Sequence, residues 1–101
     1  MDITTNGPTV VLSGDFDVRS TFEVRDAIYA LLSCEDQVVV DMAEVDTLDL
    51  VALRVLLVAT RQAAIEGREL VLRNCSGQVL RMIHLARVAH AVAIEREVAS
   101  A

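Results

Sequence analysis

The chain has 101 residues, 53% of them hydrophobic, with nine arginines, no lysine and a formal net charge of −6. That size suits one domain with a single core, and the apolar content excludes general disorder. An acidic chain with only three aromatic residues lacks the basic patch and stacking platforms of a nucleic-acid binder.

The apolar stretches break well short of the ~20 residues of a membrane span, so no membrane insertion is expected. The start, MDITTNGPTV, has neither a basic head nor an apolar signal core, so the expected location is the cytoplasm.

Taken in order, residues 2 to 6 predict a short strand, with Asn6-Gly7 as a hairpin turn. Residues 8 to 13 predict a second strand, which Gly14-Asp15-Phe16-Asp17 should end. Ser20 or Thr21 is the expected N-cap of an amphipathic helix, STFEVRDAIYALLS. Its apolar stripe is Phe22, Val24, Ile28, Leu31 and Leu32, with Val24 slightly off it.

A short link, Cys34 to Gln37, leads to Val38-Val39-Val40, a strand whose unbroken apolar run suits burial on both faces. The run stops at Asp41, and a polar link carries the chain to Asp49. From there LVALRVLLVATRQAAIEG predicts a long helix ending at Gly67. Leu70-Val71-Leu72 is the next strand. Asn74-Cys75-Ser76-Gly77 introduces the helix QVLRMIHLARV, with Val79, Leu80, Ile83 and Leu85 facing inward. The tail fits either a strand at Ala91 to Ile94 or a short helix through Glu95-Arg96-Glu97. The order β(β)αβαβαβ predicts a single α/β domain over residues 1–101, its mixed, mostly parallel sheet carrying the helices.

Several chemistries are missing. The glycines at 7, 14, 67 and 77 are scattered and form no phosphate loop. No serine sits between glycines as a nucleophile, and no histidine lies near Asp49 in sequence to act as its base. His84 and His90 are six apart and share no helix face, so neither a metal nor a cofactor is expected. Cys34 and Cys75 are expected to be buried thiols. The carboxylate pairs Asp15 with Asp17 and Asp46 with Asp49 are read as turn formers and caps. What remains is the strand–loop–helix junction at Asp49, whose carboxylate can take the N–H groups of the next turn. Leu50 and Val51 then fall on the first helical turn, and the sequence leaves open whether they face solvent or the core.

The residues that build this junction resemble the STAS domain of bacterial anti-sigma factor antagonists. A strand ending Val-Val-Val-Asp41 is followed, eight residues later, by Asp49-Leu50-Val51-Ala52-Leu53 and an aliphatic helix. The family's usual wording there is Asp-Ser-Ser-Gly-Leu. Leu12-Ser13-Gly14-Asp15-Phe16-Asp17 is similar to its Gly-Glu-Leu-Asp turn, and Gly67 to Asn74 to its glycine, strand and entry to the third helix. Aligning Asp46-Thr47 with Asp-Ser instead would put Asp49 at the glycine and Arg54 among the aliphatic positions. The Asp49 register keeps the spacing from Asp41 and the Leu-Arg-Val-Leu-Leu helix intact.

In such antagonists the second serine is phosphorylated by a kinase that is also the anti-sigma factor, and the added charge of roughly −1.5 to −2 switches binding off. The resemblance puts Val51 at that serine, where no phosphate can be carried, and leaves Thr47 as the nearest displaced acceptor. It implies a non-catalytic module binding an anti-sigma factor or kinase-like protein through Asp15, Asp17, Thr47 and the stretch from Asp49 to Leu53. An accessory subunit of a larger complex, such as a lipid-transport ATPase or a signalling assembly, is the alternative. A small-ligand sensor or enzyme built on the acid clusters is the third reading, and self-association into a homodimer through the helix start stays open.

Overall fold

Strand-like alternation over the first 16 residues and helical spacing after Ser20 set a pattern that repeats to the end of the chain. The computed structural model describes residues 1–87 and 93–94. Its elements are β1 (Asp2–Asn6), β2 (Thr9–Phe16), α1 (Thr21–Leu32), β3 (Gln37–Leu48), α2 (Leu50–Ile65), β4 (Glu69–Arg73), α3 (Gly77–Leu85) and β5 (Ala93–Ile94). They build a five-stranded sheet in the order β1-β2-β3-β4-β5, antiparallel at β1–β2 and parallel elsewhere. This is the mixed, mostly parallel α/β fold expected. The short-helix reading of Glu95-Arg96-Glu97 lies outside the described residues.

The hairpin differs by one residue from its expectation. Asn6 pairs with Thr9, so the two-residue turn is Gly7-Pro8. Gly7 has φ of 59°, and Pro8, locked at negative φ, restricts the turn to the type that needs glycine first.

Each β–α–β step moves one strand further in the same direction. Right-handed crossovers then place all three helices on one face. The core agrees: Val10, Val40 and Leu72 are register partners, as are Val38 and Leu70. They join one apolar cluster with Ile28 of α1, Leu56 of α2 and Ile83 of α3. Val39 and Val71 are partners on the opposite face and stand outside that cluster.

The largest departure from the sequence reading is β3. The expected polar link from Asp41 to Asp49 is strand as far as Leu48. Between Thr9↔Val39 and Phe16↔Leu48 the partner β2 advances seven residues while β3 advances nine. The register shifts opposite Val11/Ser13 and Gly14/Asp15, so β3 carries two extra residues as bulges. Each bulge resets which face a side chain takes. The buried positions Val40, Met42, Val45 and Leu48 are therefore spaced two, three and three, and period-two alternation disappears. β2 likewise runs on through Gly14 to Phe16, with φ of 101° at Gly14 absorbed inside the strand.

On α1 the buried residues are Thr21, Val24, Ile28 and Leu32, whereas Phe22 is 68% exposed. Phe22 and Val24 lie about 200° apart around a helix, so both cannot face one core. Val24 wins because it is four and eight residues before Ile28 and Leu32. Leu85 was expected inside but is exposed at the last turn of α3, where Val79 and Ile83 fill the core.

A Schellman motif ends α2. The Arg68 N–H donates to the Ala63 carbonyl at 2.7 Å and the Gly67 N–H to Ala64 at 3.1 Å, with Gly67 at φ 73°.

Candidate functional site

Asp49 stands where β3, the turn after β2 and the start of α2 meet. It is the N-cap of α2, in extended conformation, and its Oδ1 accepts the Ala52 N–H at 2.8 Å. Its Oδ2 accepts the Val18 N–H at 3.2 Å, and its own N–H donates to the Phe16 carbonyl at 3.3 Å. One carboxylate thus caps a helix with one oxygen and pins the β2–α1 turn with the other. The expected capping role of Asp49 holds, and the tie to Val18 adds to it.

The pinned turn is closed from within. Asp17 accepts from the Arg19 backbone N–H at 3.0 Å and from the Arg19 guanidinium at 2.6 Å. The Ser20 N–H donates to the Asp17 carbonyl at 3.0 Å. The Arg19 hydrogen bonds hold the Asp17 carboxyl below its ordinary value, and Asp17 raises the guanidinium in return. Asp15 meets β3 instead: its Oδ1 accepts the Thr47 hydroxyl at 2.8 Å across a register pair. Thr47 is therefore a strand residue, not the loop residue expected.

Around this frame the apolar side chains are outside. Leu50 is 63% exposed, Val51 48% and Val18 59%. This settles the alternative that the sequence left open for Leu50 and Val51. Ala52 and Leu53, grouped with them as surface residues, are buried, because the third and fourth residues of α2 turn onto the sheet. They support the surface from beneath.

Sequence reasoning missed Val18 as a member of this surface, and it missed the exposure of Phe22 on α1. Phe22 was assigned to the core, although its spacing from Ile28 was a usable signal against that. The Arg25 guanidinium covers one side of its ring, 4.8 Å from the centroid. Nothing local marked Val18, whose place follows from the long-range bond to Asp49.

A family model described as "Mlab, STAS domain" matches residues 1–95. The chain belongs to the STAS domain family. Solved structures share its fold: the anti-sigma factor antagonist SpoIIAA in its unphosphorylated form is 16% identical with a TM-score of 0.72, the match covering 95% of this chain and 88% of that one. Bacillus SpoIIAA in the phosphorylated form is 15% identical with a TM-score of 0.67, covering 95% and 91%. An anti-sigma factor antagonist from Mycobacterium paratuberculosis is 18% identical with a TM-score of 0.75, covering 94% and 83%. No curated protein sequence matches the chain.

Other chemistry in this STAS domain is sparse. An open polar groove of about 480 Å³ lies beside the turn, lined by Asp2, Ser13, Asp15, Arg19 and Glu23 among others. Among the described residues no three His, Cys, Asp or Glu side chains converge as a metal site, and no helix is long and apolar enough to cross a membrane. Both cysteines are free thiols. Cys34 is exposed, against expectation, because it lies past the end of α1 in the turn to β3, where its thiol donates to the Leu31 carbonyl at 3.5 Å. Cys75 is half-buried, and burial, with the Asp41 charge second, pushes its thiol up to about 11.

Proposed function

We propose that this STAS domain is a non-catalytic interaction module that engages an anti-sigma factor or kinase-like partner through the turn after β2 and the start of α2. The observation that carries the reading is the pairing of a fully used Asp49 carboxylate with exposed Leu50, Val51 and Val18 around it. The backbone is fixed at both ends, so the apolar side chains are presented with little backbone ordering left to pay at binding. Exposed aliphatic groups on a chain whose net charge is −6 favour a partner whose apolar contact is edged by basic residues.

SpoIIAA exists in phosphorylated and unphosphorylated forms. The resemblance of the Asp49 stretch to Asp-Ser-Ser-Gly-Leu puts Leu50 and Val51 at the serine positions, and on that reading binding is constitutive at this place. Thr47 is a poor substitute acceptor: its hydroxyl already donates to Asp15, and a phosphate there would set roughly two negative charges against that carboxylate. The same lack of a switch suits the second reading, an accessory subunit held permanently in a larger assembly such as a lipid-transport ATPase.

The test is to capture the partner from cells, add ATP and follow both the complex and phosphate incorporation by mass spectrometry. The proposal expects a complex that survives ATP and no phosphate on the STAS chain. Stoichiometric phosphate on Thr47, with release of the partner, would overturn it.

A further inference from the structure

The structure assigns a second docking surface to the outer side of α2: a ridge for an acidic amphipathic helix of another protein. Val51, Val58 and Ile65 repeat every seven residues and are 48%, 52% and 71% exposed. Val55 and Gln62 fall between them on the same side, so the five positions trace an a/d seam along the helix. Seven-residue spacing over fourteen residues gives a ridge of roughly 21 Å. The buried Leu56, Ala59 and Ala63 already hold α2 on the sheet, so the ridge is additional to what folding needs.

Charge selects the occupant. Between Asp49 and Glu66 the helix carries Arg54 and Arg61 and no acid, in a chain whose net charge is −6. Both arginines are exposed, seven apart, and lie along one flank of the ridge. Neither makes an ion pair or hydrogen bond among the described residues. A second copy of this chain fits badly. Antiparallel pairing through the ridge sets the arginine file of one copy against that of the other. Parallel pairing sets Arg54 against the other copy's Ala59, which is buried in its own domain, and offers an acid only to Arg61, from Glu66 just past the end of α2. A helix with aliphatic residues at heptad spacing and carboxylates along one edge satisfies both the seam and the arginines. The ridge meets the helix start at Val51 and departs from it in carrying only basic charge from there to Ile65.

The probes are two synthetic, lactam-stapled helical peptides with leucines at the seam positions, one flanked by glutamates and one by lysines. Their binding to the intact chain is read by fluorescence anisotropy. The glutamate peptide binds, and more tightly than the lysine peptide by roughly ten-fold for two exposed charge pairs. Arg54→Glu with Arg61→Glu reverses the order, and Val58→Asp, with an unchanged circular dichroism spectrum, abolishes binding of both. Equal binding of the two peptides, binding of neither, or failure of the reversal overturns the assignment. So does a wild-type dimer in sedimentation that Val58→Asp dissolves. Because the readout uses Val58 and the arginines, a bound glutamate peptide stands whatever partner the helix start proves to have.

Discussion

Asp49 shows how much organisation one side chain can carry, since the same carboxylate reaches Ala52 and Val18. Residue-scale chemistry also separates the two thiols. The thiolate is the nucleophile, and Cys75, raised to about 11 by burial, offers almost none of it near neutrality. Cys34 is exposed. Mild alkylation of the native protein at pH 8, followed by peptide mass spectrometry, is expected to label Cys34 first and leave Cys75 largely intact. Labelling of Cys75 should rise only as the pH approaches 11 or after denaturation. Equal early labelling at pH 8 would contradict the burial of Cys75.

At the scale of elements, the start of α2 depends on that cap. Asp49→Ala removes the acceptor for the Ala52 N–H and the anchor for the Val18 N–H, and is expected to cost ~1–2 kcal/mol by urea unfolding. Asp49→Asn keeps an oxygen for Ala52 but turns an amide N–H₂ toward the Val18 N–H, so it should recover only part of the loss. Full recovery by asparagine would show that the bond to Val18 contributes nothing. The helices and the short strands were legible in the sequence because each has one period: Val24, Ile28 and Leu32 are four apart, and Gly67 marks the end of α2. The second half of β3 was not legible. Its two bulges shift Val45 and Leu48 onto the core face at spacings that match neither helix nor strand, and its exposed Glu44, Asp46 and Thr47 have the composition of a loop. Phe22 failed differently: it was put on the apolar stripe of α1 with Val24 taken as slightly off it, whereas Val24 is buried and Phe22 exposed.

For the whole molecule, a one-sided layer of three helices on a five-stranded sheet gathers the turn after β2 and the head of α2 at one end. The spacing from Asp41 to Asp49 placed Leu50 and Val51 at the head of α2, where both are exposed. The sequence could not identify Val18, because thirty-one residues separate Val18 from Asp49 and only the fold brings them together. The surface that results is apolar, pre-shaped and without a hydroxyl at Leu50 or Val51. The most direct measurement is the affinity of the captured partner for wild type and for Leu50→Asp, by isothermal titration. Leu50 is mostly exposed, so the substitution should leave folding nearly unchanged. Its buried charge at the interface should weaken binding by about a hundred-fold or more. An unchanged affinity would contradict the account and place the partner on another surface of the domain.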